Sequence, residues 1–457
     1  MNLGRTRHIH LVAIGGIGMS GIAEILVNSG FTVTGSDLVE GPALERLRSF
    51  GVHCSVGHRA EQVAGADVLV FSTAVAPDNP EILEARRRGI PVIGRGEMLA
   101  ELMRLKHGIA VAGSHGKTTT SSLVADVLFA GGLDPTAIIG GRLHSFGSNA
   151  RLGAGPYIVA EADESDGSFL RLSPTWVVVT NVDREHLDHY GSFEALQNAF
   201  RNFLGRVPFY GAAIVCMEDP VLRDLLPDLS CRLVGYGFGE DAALRGEILE
   251  QNSKGTRFTW KTADFSGEVE LPVLGEHNLL NALAAIAVGL ELDLSPEAIG
   301  RGLGRFEGVG RRFDVKGEAG GVLVVDDYGH HPTEITATLS ALAKHFQRPL
   351  YVVFQPHRYS RTQLLAEDFP PAFDAADDLI VTEIYAASEA PIEGIHGEFL
   401  ARKIRERGRT TARHFVDRDE IAAHLLEELE PGDILVTLGA GNLNQFADDF
   451  LEKLRSR

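Results

Sequence analysis

The chain has 457 residues, of which 44% are hydrophobic and 23% charged, a composition typical of globular proteins. At about 150 residues per domain, this length predicts roughly three domains. A formal net charge of −19 argues against non-specific binding to nucleic acid or to a membrane surface. We find no apolar run of the length of a transmembrane helix or a signal peptide, and we expect a cytoplasmic protein. Cys54, Cys216 and Cys231 lack metal-ligand spacing and are expected to be reduced structural thiols.

A glycine-rich turn follows the first predicted strand, residues 8–14. It contains Gly-x-Gly-x-x-Gly at residues 16–21, and a helix is predicted from Ile22. Asp37 follows the next strand, where a ribose contact would lie, and Ser72-Thr73 come just after a buried strand. The pattern is typical of a Rossmann phosphate turn. Taken alone, it fits a dinucleotide, a nucleotide-sugar diphosphate, or a plain glycine-rich turn of an α/β domain.

A second anion-binding pattern, Gly-Ser-His-Gly-Lys-Thr-Thr, occupies residues 113–119 between an apolar strand and a helical pattern. Glycines let backbone N–H groups approach phosphate oxygens, and the helix dipole adds positive potential. Lys117 can reach the outer phosphates, and the Thr118 hydroxyl can ligate magnesium. The spacing is shorter than in the common P-loop, whose first glycine would fall at Val111. We interpret the stretch as a nucleotide phosphate site rather than a plain turn.

Acidic residues crowd the end of the strand predicted at residues 157–160. They are Glu161, Asp163, Glu164 and Asp166. Because neighbouring carboxylates repel one another without a cation or hydrogen-bond donors, we expect at least one magnesium ligand here. The glycine-rich residues 140–149 before this strand are predicted to form an ordered loop.

Further polar residues follow later strands and open later helices. His186 lies in a polar cluster after the strand at residues 176–180. His277, Asn278 and Asn281 share the first turn of an Ala-rich helix, where they could cap the helix or face a purine.

The last third of the chain alternates strands with helices, which predicts a small doubly wound domain. Arg312 lies in the linker before it. Asp326 and Asp327 follow the strand at residues 321–325, and Pro332 is predicted at the first position of a helix that runs to residue 346. Arg358 and Arg361 follow another apolar strand, which favours a carboxylate or phosphate grip over a solvated helix face.

The order of these motifs resembles the Mur ligase family over essentially the whole chain. Seven stretches match in family order: residues 14–21, 113–119, 161–166, 181–188, 275–281, 326–332 and 354–362. Met19-Ser20 and the run Gln-Pro-His-Arg-Tyr-Ser-Arg at residues 355–361 resemble the alanine-adding branch. The resemblance implies an α/β chain of three domains. These are a Rossmann-like UDP-sugar domain (1–105), a P-loop ATP domain (106–310) and a small Rossmann-like amino-acid domain (311–457).

The implied activity is an ATP- and Mg²⁺-dependent ligase in peptidoglycan precursor synthesis. It would join L-alanine to the lactyl carboxylate of UDP-N-acetylmuramate through an acyl phosphate, as a monomer or homodimer. The alternative within the family is a recycling ligase that attaches a tripeptide to the same sugar nucleotide. A second alternative is a folate-polyglutamate-type ligase, which would lack the first domain. A third is a nicotinamide oxidoreductase, for which the first glycine turn is the sole support. A non-catalytic relative would not need Lys117, Thr118, Glu161 and His186.

The resemblance also implies roles for individual residues. UDP-sugar contacts fall on Gly15, Gly16, Ile17, Gly18, Met19, Ser20, Asp37, Ser72 and Thr73. ATP contacts fall on Gly113, Ser114, His115, Gly116, Lys117, Thr118, Thr119, His277, Asn278, Asn281, Arg312 and Asp327. Magnesium ligands are Thr118, Glu161 and His186; amino-acid contacts are His330, Arg358 and Arg361; catalytic residues are Lys117, Glu161, His186 and His330.

One feature departs from the family pattern. Several members carry a carbamylated lysine beside a second magnesium, but this chain has no lysine between Lys117 and Lys254. Arg201 lies near the expected place. How a second metal would be held is therefore open.

Overall fold

The computed structural model describes residues 3–143, 148–252, 255–387 and 389–456. They form three mostly parallel sheets with flanking helices, which confirms the predicted α/β class. The chain divides into two compact units. The first comprises Met1–Ile248, Phe258–Leu271 and Leu279–Glu307, and the second comprises Leu249–Arg257, Pro272–Asn278 and Gly308–Arg457. No helix of the described ranges is long and apolar enough to cross a membrane.

The first sheet has five parallel strands in the order β3-β2-β1-β4-β5, which is a Rossmann-like order. Its strands are β1 (His8–Val12), β2 (Thr32–Asp37), β3 (His53–Val56), β4 (Val68–Phe71) and β5 (Val92–Gly94). Its helices are α1 (Ile17–Asn28), α2 (Pro42–Ser49), α3 (Pro80–Arg87) and α4 (Arg95–Arg104). The strands read as apolar runs because helices bury both faces of a parallel sheet.

The second sheet has ten strands in the order β15-β14-β13-β12-β11-β10-β6-β9-β7-β8. The strands are β6 (His107–Ala112), β7 (Thr136–Leu143), β8 (Ser148–Arg151), β9 (Tyr157–Glu161), β10 (Trp176–Val179), β11 (Ala212–Cys216), β12 (Leu233–Gly237), β13 (Leu244–Asn252), β14 (Gly255–Lys261) and β15 (Ser266–Leu271). The helices are α5 (Lys117–Ala130), α6 (Leu187–Tyr190), α7 (Phe193–Leu204), α8 (Pro220–Leu225), α9 (Glu276–Glu291) and α10 (Pro296–Gly304). β6 lies centrally, between β10 and β9, and carries the phosphate loop at its carboxyl end.

The third sheet has six strands in the order β16-β17-β21-β18-β19-β20, and only its edge strand β16 is antiparallel to its neighbour. The strands are β16 (Asp314–Ala319), β17 (Val322–Asp327), β18 (Leu350–Phe354), β19 (Asp378–Val381), β20 (Thr411–His414) and β21 (Ile434–Leu438). The helices are α11 (Pro332–Phe346), α12 (Tyr359–Leu364), α13 (Phe369–Ala372), α14 (Gly397–Arg407), α15 (Arg418–Glu428) and α16 (Leu443–Arg455). Alternate residues of β17 enter different cores: Leu323 and Val325 on one face, Val322 and Val324 on the other.

Three local predictions need correction. α1 begins at Ile17 rather than Ile22, so most of the glycine pattern forms the first turns of the helix. Residues 140–143 and 148–149 belong to strands β7 and β8, which pair antiparallel, and not to a loop; Gly147 lies outside the described residues. Strand β17 runs to Asp327, so it includes Asp326 and Asp327 rather than ending at Val325.

The three cysteines are free, as predicted. Cys54 and Cys216 are buried, and burial raises the pKa of the Cys216 thiol to about 11. A thiol that stays protonated at neutral pH is a poor nucleophile and metal ligand.

Candidate active site

The phosphate loop connects β6 to α5. β6 ends at Ala112, and α5 begins at Lys117. Gly113 and Gly116 have φ values of +130° and +80°, which favour glycine. A Cβ on Gly116 would lie 2.7 Å from Oδ1 of Asn281. Glycine at both positions therefore allows a tight approach of loop and helix start, a geometry suited to binding an anion.

Residues at the end of β10 brace this loop. Oδ1 of Asn181 accepts the N–H of His115 at 2.8 Å, and the Thr180 hydroxyl donates to the His115 carbonyl at 2.6 Å. Nε2 of His115 lies 2.9 Å from a carboxylate oxygen of Asp183, whose N–H donates to the Ser114 hydroxyl at 2.8 Å. These bonds give the loop its shape without a ligand.

The ammonium group of Lys117 is held at the loop. Its Nζ donates to the carbonyls of Gly113 at 2.5 Å and Ser114 at 3.1 Å, and to Oε1 of Glu164 at 2.8 Å. Burial alone would lower the pKa of Lys117, but Glu164 and other nearby carboxylates raise it. Burial raises the pKa of Glu164 to about 7, against the opposing effect of Lys117. The lysine thus stays charged beside the place where phosphates are expected.

The carboxylates after β9 have separate partners. Asp163 pairs with Arg95 at 2.8 Å, and although burial opposes it, Arg95 and Lys117 lower the pKa of Asp163 to about 2. Asp166 accepts the N–H of Ser168 at 2.9 Å. Their mutual repulsion is therefore reduced by hydrogen-bond donors and cations of the protein itself.

The predicted magnesium ligands lie around the start of α5. Thr118 is 9% exposed in the first turn. Glu161 accepts the N–H of Gly140 at 2.7 Å. Nε2 of His186 lies 3.7 Å from Glu164 and 3.6 Å from Glu185, whose part in this cluster we did not predict. The mix of hydroxyl, carboxylate and imidazole donors fits a divalent cation.

The first glycine turn is tied to the end of β2. Oδ2 of Asp37 accepts the N–H of Gly15 at 2.9 Å, and its Oδ1 accepts the N–H of Leu38 at 2.8 Å. A Cβ on Gly15 would lie 2.7 Å from Cδ1 of Leu44. Asp37 therefore orients the turn that the sequence predicts to hold a diphosphate.

The end of that turn packs beneath other segments of the first unit. A Cβ on Gly18 would lie 3.1 Å from a guanidinium nitrogen of Arg95, and one on Gly21 would lie 3.2 Å from Cβ of Ala150. Ile17 is 57% exposed, whereas Met19 and Ser20 are buried in α1. Ser72 and Thr73 follow β4 at the same carboxyl edge of the sheet.

Asn281 lies in the first unit and faces the loop directly. Its Oδ1 accepts the Thr120 hydroxyl at 3.0 Å. In the second unit, Nδ2 of Asn278 donates to the carbonyl of Leu274 at 2.7 Å. The ring of His277 is partly exposed, yet burial lowers its pKa to about 4 and keeps the imidazole neutral at pH 7.

The remaining predicted nucleotide contacts lie at the start of the third sheet. Both carboxylate oxygens of Asp327 accept backbone N–H groups at 2.7 Å, one from Phe313 and one from Gly329. Burial raises the pKa of Asp327 to about 6, with Arg312 opposing it. The guanidinium of Arg312 lies 4.7 Å from the ring centre of Tyr328.

The predicted amino-acid contacts gather at the carboxyl ends of β17 and β18. The rings of His330 and His357 are 5.6 Å apart, and a guanidinium nitrogen of Arg361 is 3.0 Å from Nδ1 of His357. Arg358 is the N-cap of α12 and has a φ of +69°. His357 also stacks on Tyr385 at 5.7 Å. His330 and Arg361 therefore both contact His357, and Arg358 is the next residue of the chain after His357.

Gly275 controls the position of His277. Its φ is +98°, and a Cβ there would lie 2.5 Å from Cε1 of that ring. We expect Gly275→Ala to lower the free energy of unfolding by about 1–3 kcal/mol and to displace His277, measured by urea unfolding. Gly308→Ala is the matched control, because Gly308 has a φ of +85° and open space around it. Equal losses in the two variants would contradict the role of the ring contact.

Three family models match most of the chain, and a known protein matches almost all of it. The Mur ligase family catalytic domain model matches residues 8–107, the Mur ligase middle domain model 111–289, and the Mur ligase glutamate ligase domain model 311–441. The UDP-N-acetylmuramate–L-alanine ligase of Geobacter sp. strain M21 is 54% identical over 455 residues, which cover 99% of each chain.

Solved structures agree with this assignment. The crystal structure of the UDP-N-acetylmuramate–alanine ligase of Thermotoga maritima superposes with a TM-score of 0.83 at 29% identity, covering 99% of this chain and 100% of that one. A murein peptide ligase of Psychrobacter arcticus shares the fold, with a TM-score of 0.73 at 24% identity over 99% of each chain. The chain therefore belongs to the Mur ligase family.

Proposed function

We propose that this protein is an ATP-dependent ligase that joins L-alanine to the lactyl carboxylate of UDP-N-acetylmuramate. The observation that carries the proposal is the 54% identity, over 99% of both chains, to a UDP-N-acetylmuramate–L-alanine ligase. The product is a peptidoglycan precursor, so the reaction serves cell-wall synthesis. Because it consumes ATP and a nucleotide sugar, we place it in the cytoplasm.

The three ligands are assigned to three domains. Residues 1–105 bind the UDP-sugar at the turn oriented by Asp37. Residues 106–310 bind ATP at the phosphate loop, and residues 311–457 bind the amino acid. The family-model boundaries at 107/111 and 289/311 are close to these limits and support them.

The first chemical step activates the carboxylate. A carboxylate oxygen is too poor a leaving group for an amine to displace, so the γ-phosphoryl group of ATP is transferred to it to give an acyl phosphate. Catalysis of such a transfer is mostly positioning and charge neutralisation. Lys117 and the N–H groups of residues 113–119 bind the phosphates, and Asn281, which accepts the Thr120 hydroxyl, leaves no room for a Cβ at Gly116. Thr118, Glu161 and His186 would hold magnesium, which would neutralise phosphate charge when bound.

The second step forms the amide. Arg358 and Arg361 bind the carboxylate of L-alanine, which directs its amine toward the acyl carbon. His330 accepts the proton that the attacking amine loses. Its Nδ1 lies 3.4 Å from Glu334, a carboxylate that can stabilise the resulting imidazolium. Phosphate then leaves.

Phosphate release with different acceptors tests the proposal. The protein is supplied with ATP, magnesium and UDP-N-acetylmuramate, and separately with L-alanine, glycine, L-serine, D-alanine or the tripeptide of the recycling reaction. We expect release that depends on L-alanine, with the alanyl product identified by mass. Release with the tripeptide alone would retain the chemistry but overturn the proposed acceptor. Omission of UDP-N-acetylmuramate is the control for simple ATP hydrolysis.

A further inference from the structure

Arg311 lies just before β16, and none of the assignments above uses it. Its guanidinium donates to the carbonyl of Gly439 at 2.6 Å and lies 4.9 Å from the ring centre of Tyr328. Its own carbonyl accepts the N–H of Tyr328 at 2.7 Å. Tyr328 follows β17 and Gly439 follows β21. Arg311 therefore joins two loops at the carboxyl edge of the third sheet.

The backbone of Arg311 has a conformation that usually belongs to glycine. Its φ is +64°, in the left-handed region that a Cβ disfavours. Conformations of this kind persist only where surrounding contacts hold them, and they concentrate at functional sites. Here the N–H of Arg311 donates to Oδ2 of Asp314 at 3.3 Å, while its carbonyl is held by Tyr328. An arginine in this backbone conformation implies that its side chain supplies contacts that glycine could not.

Ion pairing alone does not explain where the guanidinium lies. The carboxylate of Asp326 is 1% exposed, and its Oδ2 is 3.6 Å from Nε of Arg311, which is too long for a hydrogen bond. Neither of these two atoms has a hydrogen-bond partner among the residues that the structure describes. A bidentate pair would be the strongest arrangement of the two groups. The guanidinium instead bonds the Gly439 carbonyl, so the loop after β21 sets its position.

The two loops that this arginine joins border the proposed amino-acid site. β21 lies between β17 and β18, so its loop lies between the predicted amino-acid contacts at the ends of those strands. A Cβ on Gly441 would lie 2.8 Å from Cγ of Tyr385, the ring that stacks on His357. In the loop after β17, the ring of Tyr328 is 5.5 Å from that of His330. A shift of either loop would therefore move groups that border this site.

We propose that Arg311 is a positioning residue for the acceptor amino acid. By holding Tyr328 and the Gly439 carbonyl, it fixes both loops relative to the groups that bind the amino acid. It acts through these loops and not by contact with a substrate. A displacement of about 1 Å at a positioning group can cost about 10²-fold in rate. The inference rests on the proposed function, because an amino acid must be the ligand of this site.

Steady-state kinetics of phosphate release test the proposal. The KM values for L-alanine, ATP and UDP-N-acetylmuramate are measured for the wild type, Arg311→Ala and Arg311→Lys. For Arg311→Ala, we expect the KM for L-alanine to rise at least about tenfold. The KM values for ATP and for the sugar nucleotide should change by less than about twofold. Arg311→Lys can still donate to the Gly439 carbonyl but lacks the planar guanidinium, so its KM for L-alanine should be intermediate.

Arg348→Ala is the matched control. Arg348 also donates to two carbonyls, those of Gly321 at 2.7 Å and Asp433 at 3.0 Å, but these residues precede β17 and β21 and lie at the opposite edge of the same sheet. This variant should lose stability and keep its KM for L-alanine.

Two results for folded Arg311→Ala would overturn the proposal: an unchanged KM for L-alanine, or an equal rise in the KM for ATP. If Arg311→Ala does not fold, Arg311→Lys decides, and an unchanged KM for L-alanine in that variant overturns the proposal as well. Phosphate release by the wild type that does not depend on L-alanine would instead be a failure of the proposed function.

Discussion

Lys117→Ala is expected to abolish ADP formation while binding of the UDP-sugar survives. The ammonium is the cation that the phosphate loop itself supplies, and no other lysine occurs between residues 117 and 254. Groups that neutralise the transferred phosphoryl group contribute about 10³-fold or more to the rate. We therefore expect kcat to fall by at least about 10³-fold. The Lys117 ammonium bonds to Gly113, Ser114 and Glu164, which all lie outside the turn around Gly15 and Asp37, so UDP-sugar affinity measured by calorimetry should not change.

The same variant should also be less stable, and more so at high pH. Removing Lys117 leaves Glu164 buried without its cation, and an uncompensated buried charge costs about 3–5 kcal/mol. Burial already raises the pKa of Glu164 to about 7 in the presence of the lysine. An acid whose pKa is higher in the folded than in the unfolded protein loses stability as pH rises through that range. Urea unfolding should therefore show a larger deficit at pH 8.5 than at pH 6.

Two further variants separate stability from catalysis. Lys117→Ala/Glu164→Gln should recover much of the stability and its pH dependence, but no ADP formation. Lys106→Ala is the matched control, because Lys106 also donates to two carbonyls, those of Gly153 and Gly155, away from the phosphate loop. Loss of UDP-sugar binding equal to the loss of ADP formation would argue against assigning the sugar nucleotide to residues 1–105.

Local patterns in the sequence were sufficient to locate the phosphate loop. An apolar strand, two glycines and a helical pattern are adjacent in the chain, so β6, Gly113, Gly116 and α5 could be placed without knowing the rest of the fold. Pro332 was likewise predictable at the first position of α11. An N–H at that position has no acceptor within the helix, so proline, which lacks it, loses no hydrogen bond there.

Features set by distant contacts were not predictable. Glycine is unfavourable in the interior of a helix, so α1 was expected to begin at Ile22, after the last glycine of the pattern. In the folded protein Gly18 and Gly21 are needed because Arg95 and Ala150 approach the helix closely. Strands β7 and β8 were not predicted, because the glycines of β7 suggested a loop and the pairing of the two strands cannot be read from the local sequence.

The cluster around His186 shows the limit for the site. Glu164 follows β9 and Glu185 follows β10, and these strands are not neighbours, since β6 lies between them. Their side chains meet because both strands end at the same edge of a parallel sheet. The adjacency of Glu185 to His186 was the one available signal, and an acidic residue next to a histidine is too common to identify a ligand.

Gly113→Ala is expected to disable the phosphate loop although it alters none of the side chains that we assign to phosphate binding. The φ of Gly113 is +130°, and a Cβ there would lie 2.1 Å from Oγ1 of Thr180 and 3.1 Å from the backbone N and O of Asn181. Neither the backbone of Asn181 nor the hydroxyl that bonds the His115 carbonyl can yield without moving the loop. The loop must shift instead, and its shift moves the Gly113 carbonyl that accepts a hydrogen bond from Lys117.

Displacement of about 1 Å at a positioning group can cost about 10²-fold in rate. We therefore expect kcat/KM for ATP to fall by about 10²–10³-fold, with a loss of about 1–3 kcal/mol in unfolding free energy from backbone strain. Gly132→Ala is the matched control, because Gly132, just after α5, has a φ of +78° and nothing within 4 Å of a Cβ placed there. Gly132→Ala should lose unfolding free energy through backbone strain but keep its kcat/KM for ATP. An unchanged kcat/KM for ATP in folded Gly113→Ala would mean that the phosphates bind elsewhere, since a shifted loop cannot present its N–H groups in the same place.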